Sequence, residues 1–114
     1  GVMMRCAFAL FERAMKIPDV TAWICAKDST ATMALDFLHS QKSQIQEKVS
    51  VVGFDDIPES FRYDLTTYSF NLSALAHSVL VHLCEFPFPS RTMKKNIVEI
   101  KGMVKLRGTL RMIG

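Results

Sequence analysis

Apolar positions along this chain follow two alternating rhythms. Short runs rich in β-branched and aromatic residues, Thr21–Ala26, Val49–Phe54 and Leu65–Phe70, have the length of strands, the last fitting an extended crossing segment equally well. Between and around them, Val2–Ile17, Thr30–Ser40 and Asn71–Glu85 repeat apolar side chains every three or four positions, the period of a helix. The first helical segment carries two stripes, Met3, Ala7, Leu10 and Ala14 on one and Met4, Phe8, Phe11 and Met15 on the other. Apolar character on both sides predicts burial between layers, or one face at a subunit contact. Pro18 and Asp19 end this helix.

After the strand Thr21–Ala26, Asp28 and Ser29 are suitable caps for the helix Thr30–Ser40, whose inward stripe is Ala31, Ala34, Leu35 and Leu38. A polar linker, Gln41–Lys48, leads to the next strand. Strand, helix and strand in this order make a βαβ unit, expected to be right-handed and to build a parallel sheet.

The most informative segment is Val49-Ser-Val-Val-Gly-Phe-Asp-Asp-Ile-Pro58. A strand apolar enough to be covered on both faces runs directly into two carboxylates. In open parallel sheets the ligand crevice lies beyond the carboxyl ends of the strands, which makes Asp55 a candidate ligand. Asp56 has a competing role as the cap of a helical turn at Ile57–Tyr63, with Pro58 early in that turn. Asp28 also follows a strand, so Asp28 and Asp55 are expected to converge on one edge of the sheet.

Downstream, Asn71 is a strong N-cap for a helix reaching about Glu85, with the stripe Leu72, Leu75, Val79 and Leu83. Phe86-Pro-Phe-Pro-Ser90 breaks the helical pattern. A basic turn follows, then two short strands, Ile97–Ile100 and Met103–Gly108.

With 114 residues and an apolar fraction of 49%, the chain is one domain or part of one, with enough apolar surface for a packed core. The net charge of +3 includes a basic concentration from Arg91 to Arg111, comprising Lys94, Lys95, Lys101, Lys105, Arg107 and Arg111. Without interleaved aromatics these read as the solvated face of a terminal hairpin, not a nucleic-acid surface. Cys6, Cys25 and Cys84 are irregularly spaced and suit reduced thiols in a cytoplasmic protein. No apolar run reaches the roughly 18 to 20 residues of a membrane span. Charged residues interrupt the amino-terminal segment, unlike a signal peptide.

Catalytic and metal readings are weak. His39, His77 and His82 lack ligand spacing, and Cys25 has no histidine base nearby in sequence. Asp55-Asp56 resembles the acid pair of a phosphoacceptor domain, but no later strand ends in an aspartate. We expect no enzyme activity, no metal and no cofactor.

The ordered segments Thr21-Ala-Trp-Ile-Cys-Ala-Lys-Asp28, Met33-Ala-Leu35, Val49 to Pro58, Leu65-Thr-Thr67 and Val104-Lys-Leu-Arg-Gly-Thr109 are together similar to the effector-binding domain of the lactose/galactose repressor family. The resemblance extends from the first helix to Thr109. It implies an α/β, periplasmic-binding-protein-like fold: a mainly parallel, Rossmann-like sheet flanked by helices. Residues 1–70 and about 103–110 would form the second subdomain, and 71–100 would be elements that pack with a first subdomain. The implied function is effector sensing and dimerisation in a bacterial, cytoplasmic transcriptional regulator. Its small-molecule effector, a sugar, sugar derivative or nucleobase, would bind between subdomains and modulate DNA binding. A sugar-binding transport protein of the same fold is the alternative.

Residue by residue, the resemblance matches Asp55 to the family's effector-binding aspartate and Asp28 to the acid of an Asn-Asp pair. The asparagine of that pair is Lys27 here, which either points into the cleft and favours an anionic effector or extends its stem along the surface to solvent. Phe70 stands where the family usually has glutamine after Leu-Thr-Thr, and is suited either to stack on a sugar or base ring or to wedge the hinge between subdomains. Neither the family's DNA-binding module nor its first subdomain matches anything in the chain, so operator DNA would be reached only through an absent domain. Family dimer contacts would involve Ala31, Leu35 and Leu38 of the second helix and Tyr63. With the first subdomain missing, the stripe Leu72, Leu75, Val79 and Leu83 needs another cover, and a homodimer or higher oligomer is expected.

Overall fold

A computed structural model describes residues 1–41, 47–85 and 97–113. The elements are α1 (Val2–Met15), β1 (Ala22–Ile24), α2 (Asp28–Ser40), β2 (Ser50–Phe54), α3 (Pro58–Arg62), β3 (Thr66–Ser69), α4 (Leu72–Glu85) and β4 (Met103–Lys105). The strands form one sheet in the order β1-β2-β3-β4, with β1, β2 and β3 parallel and β4 antiparallel to β3. Trp23 is in register with Val51, and Gly53 with Thr67. This arrangement carries the carboxyl ends of β1, β2 and β3 to one edge.

The core lies between the sheet and the pair α1 and α2. It consists of Phe11, Trp23, Cys25, Ala31, Ala34, Leu35, Phe37, Leu38, Val49, Val51 and Leu65. Phe11 stacks on Trp23 at 5.5 Å with an interplanar angle of 13°, and Phe8 meets the edge of Phe37 at 5.3 Å. Burial of this aromatic and aliphatic surface is the main term holding the layers together.

Several expectations are corrected. In α1 only Phe11 is buried; Ala7, Phe8, Ala14 and Met15 pack at the margin of the core, while Met3, Met4 and Leu10 are exposed. Within the chain the helix therefore covers one face and is not buried between layers, and its second apolar face stays open, as the subunit-contact alternative requires. Ala31, Leu35 and Leu38 are buried against the chain's own sheet and have no surface to offer a dimer partner. Inward stripe positions of a sheet-covering helix are consumed by the core before any interface can use them. Tyr63 does remain accessible, and its hydroxyl donates to Asp36 Oδ2 at 3.2 Å across α2 and the end of α3. Burial, followed by the neighbouring Asp36 carboxylate, raises the pKa of that phenol.

Ile97–Ile100 is not a strand; the terminal strand is limited to Met103–Lys105. The expected break at Phe86–Ser90, the basic turn after Arg91 and most of the linker before β2 lie outside the described residues.

Two apolar surfaces stand open. None of Leu72–Cys84 in α4 is buried, and Leu72 and Leu83 are each 63% exposed. The second open surface is the reverse face of the sheet. Along β1 the burial alternates, with Trp23 toward the helices and Ile24, 74% exposed, on the other side. Tyr68 pairs with the exposed Val104 on that reverse face. Parallel sheets normally carry helices on both faces. Here α1 and α2 cover one, and no helix among the described residues covers the other.

Candidate functional site at the carboxyl edge of the sheet

Asp55 and Asp56 follow β2 in left-handed backbone conformations, with φ of 114° and 54°. Aspartate reaches this region more readily than most residues, but two in succession need support from their surroundings. The support comes from β3: the Asp55 N–H donates to the Tyr68 carbonyl at 3.0 Å, and the Asp56 N–H to Thr67 Oγ1 at 3.4 Å. The chain thus turns sharply at the sheet edge.

The two carboxylates have different surroundings. Asp56 Oδ1 accepts from Arg107 Nη2 at 2.9 Å, the pair being about four-fifths buried. It is not the cap of α3; that position is held by Ile57, which has no side-chain cap bond. The Asp55 side chain is half-buried, and no hydrogen bond or ion pair engages its carboxylate among the described residues. An ionised carboxylate with free acceptor oxygens at a sheet edge can receive hydroxyl or amine donors.

Asp28 departs from expectation. It is the first residue of α2, fully buried, and its carboxylate does not cap that helix. Oδ2 accepts the Ile57 N–H at 3.0 Å and Oδ1 accepts the Thr67 hydroxyl at 2.5 Å. Gly53 makes room for this, since a Cβ there would overlap Asp28 Oδ1. Both oxygens are thus occupied within the fold, tying α2 to β3 and to the residue after the Asp55-Asp56 turn. Asp28 does converge on the same edge as Asp55, but from below and facing inward. Burial, and then this carboxylate, raise the Cys25 thiol pKa, which keeps Cys25 a neutral core thiol.

Lys27 is exposed and extended, with φ of −144°, and its carbonyl accepts the Thr30 and Ala31 N–H groups at the start of α2. Phe70 belongs to an aromatic cluster that sequence reasoning did not assemble. Its ring lies edge-on to Tyr68 at 5.0 Å and 6.4 Å from Phe54, and Phe54 lies 5.9 Å from Tyr68. Register alone signals part of it, because Phe54 and Tyr68 are partners across β2 and β3. Asn71 caps α4 as expected, its Oδ1 accepting the Ala74 N–H, while its Nδ2 donates to the Lys101 carbonyl. The two segments leaving and re-entering the sheet are joined there.

A cavity of about 450 Å³ lined by Leu35, Leu38, His39, Val49 and Arg111 lies at the opposite, amino-terminal end of the strands. It is remote from Asp55. No cluster of metal-ligating side chains occurs among the described residues. No helix among them is long and apolar enough to cross a membrane.

The topology, the acid turn after β2 and the returning antiparallel strand agree with a match of residues 3–108 to the periplasmic binding protein-like domain family. The chain belongs to this family. Among solved periplasmic-binding-protein-like domains, the lac repressor dimer bound to operator and an anti-inducer superposes with a TM-score of 0.75 at 21% identity, over 96% of this chain and 37% of that one. A LacI-family regulator from Lactobacillus casei with bound sucrose gives 0.70 at 17% identity, over 94% and 40%. In sequence, a helix-turn-helix-type transcriptional regulator of Mycobacterium tuberculosis is 36% identical over 50 residues, 44% of this chain and 14% of that relative. The chain therefore shares its fold with LacI-family regulators of known structure, and spans about two fifths or less of the proteins it matches.

Proposed function

We propose that this chain is the effector-sensing and dimerisation part of a cytoplasmic bacterial transcriptional regulator, with no enzymatic activity. The observation that carries this reading is the contrast between Asp55 and its neighbours. Asp28 and Asp56 are consumed by internal bonds, whereas Asp55 sits at the carboxyl edge with its acceptor oxygens unengaged among the described residues. Beside it the Phe54, Tyr68 and Phe70 rings offer an aromatic flank. Acceptor oxygens next to aromatic rings suit a polyhydroxylated ring, whose hydroxyls donate and whose C–H face packs on the aromatics. A sugar or sugar derivative fits this chemistry, and a nucleobase fits less fully. In the regulator of known structure bound to sucrose, a sugar occupies a protein of this fold.

Lys27 at the start of α2 adds a cation to the same edge and favours an anionic derivative, such as a sugar phosphate. Operator DNA would be contacted by a DNA-binding module elsewhere in a longer protein; the lac repressor, which shares this fold, is known as a dimer bound to operator. Self-association would use the open stripe of α4 and the Tyr63 region, since the inward residues of α2 are unavailable. A sugar-binding transport protein shares the fold and is the second reading.

The experiment is chemical-shift mapping on the ¹⁵N-labelled chain titrated with sucrose, glucose and glucose 6-phosphate. Shifts confined to Gly53–Ile57, Lys27 and Phe70 are expected, larger for the phosphate. Shifts absent from the Asp55 turn for all three ligands would defeat the proposal.

A further inference from the structure

We infer that Arg107, far from Asp55 in sequence, is the positioning residue that keeps Asp55 aimed at the candidate ligand site. The inference rests on the effector-site reading of Asp55, but its test does not need an effector.

Asp55 and Asp56 lie side by side with positive φ, and their backbone bonds to β3 include one long contact of 3.4 Å. Such a turn persists only where the surroundings hold it. Asp28 holds the Ile57 N–H just beyond the turn, the Ser60 hydroxyl donates to Asp56 Oδ1 at a long 3.4 Å, and Arg107 adds the shortest restraint on the Asp56 side chain. Its Nη2 donates to Asp56 Oδ1 at 2.9 Å, and its Nη1 donates to the Leu65 carbonyl at 2.9 Å and to Ser60 Oγ at 3.3 Å. The guanidinium carbon lies 5.9 Å from the centre of the Phe61 ring. Its backbone is fixed too: the N–H donates to Thr66 Oγ1 at 2.9 Å, and its carbonyl accepts the Thr66 hydroxyl at 3.1 Å.

Arg107 is thus a planar cation bolted to β3 and α3 that draws Asp56 toward the interior. Adjacent residues of a tight turn cannot reorient independently. With Asp56 held inward, Asp55 is directed to the open edge. Without that hold, the two acids compete for the same space and Asp55 relaxes to an ordinary negative φ. The pair is mostly sheltered from solvent, so the restraint is little weakened by screening.

The test is the backbone conformation of Asp55, read from the three-bond amide–Hα coupling and the Cα shift in labelled protein. In Arg107→Met, which keeps the stem over Phe61, and in Asp56→Asn, which keeps a residue tolerant of positive φ, the Asp55 coupling is expected to move to the larger value of extended backbone. The amide shifts of β1 should stay unchanged, and Arg107→Lys should restore part of the native coupling. An unchanged Asp55 coupling in Asp56→Asn overturns the inference, as does an Asp56→Asn chain that does not fold, because the pair then serves stability alone. If Arg107→Met fails to fold, Asp56→Asn decides. A wild-type chain that ignores every sugar while the coupling still responds to these substitutions defeats the effector reading and leaves the positioning role of Arg107 intact.

Discussion

Thr67 and Asp28, 39 positions apart, meet inside the molecule, the threonine hydroxyl donating to the buried carboxylate at 2.5 Å. Thr67 Oγ1 in turn accepts the Asp56 N–H, so one hydroxyl links the start of α2 to the turn that carries Asp55. Removing it leaves a buried carboxylate oxygen without its donor. Thr67→Val, nearly isosteric, is expected to destabilise the chain by about 1–3 kcal/mol. Urea unfolding followed by circular dichroism measures this, and a change below ~0.5 kcal/mol would contradict the arrangement.

Gly53 is required by contact, since its neighbour Asp28 occupies the volume a Cβ would take. Gly53→Ala should cost about 1–3 kcal/mol, because the obstacle is a hydrogen-bonded carboxylate at the base of a packed helix and not a flexible chain end. A thermal melt of the variant provides the check. An unaltered Tm would mean that Asp28 has room to move.

Asp55 and Asp28 should respond in opposite ways to the same substitution. Asp55→Asn leaves stability within about 0.5 kcal/mol, since asparagine accepts the left-handed backbone and no internal bond is lost. Its affinity for a responding sugar should drop by roughly 10- to 100-fold, the loss of one or two charge-assisted bonds. Asp28→Asn should instead destabilise the fold, because the amide keeps one acceptor oxygen for the Ile57 N–H and leaves the buried Thr67 hydroxyl without the carboxylate oxygen it donates to. Paired denaturation and titration experiments separate the two roles, and a destabilised Asp55→Asn would erase the distinction.

Cys25 should be inert where Cys6 and Cys84 react. Burial, reinforced by Asp28, raises its pKa above the ordinary 9.0, and the other two thiols are exposed. A disulfide reagent at pH 8 should therefore titrate two thiols quickly and the third only on unfolding. The folded state binds this proton more tightly than the unfolded state, so the contribution to stability is present below the unfolded value. It declines as pH rises beyond about 9. Stability that rose over that alkaline range would contradict the assignment.

The open stripe of α4 should drive association. Replacing Leu75 and Val79, both exposed, with glutamine is expected to shift the sedimentation profile of the chain toward monomer. An identical profile would direct attention to the reverse face of the sheet, where Ile24 and Leu106 are 74% and 73% exposed.

The sequence by itself determined the order of elements from α1 to α4, the parallel βαβ unit, Asn71 as a cap, and the location of Asp55 at the carboxyl edge. These follow from local rules: apolar period, capping chemistry, and the requirement that a buried strand end where polar residues begin. Tertiary structure alone decided what each acid does there. Asp28 looks like a cap for its own helix, yet a glycine on the adjacent strand and a threonine one strand further let its carboxylate turn inward. Asp56 looks like the cap of α3, yet an arginine 51 positions later pairs with it. Likewise the α2 stripe that could serve a dimer is spent on the core. A side chain's role is set by which partner reaches it first in space, and that partner belongs to a segment remote in sequence.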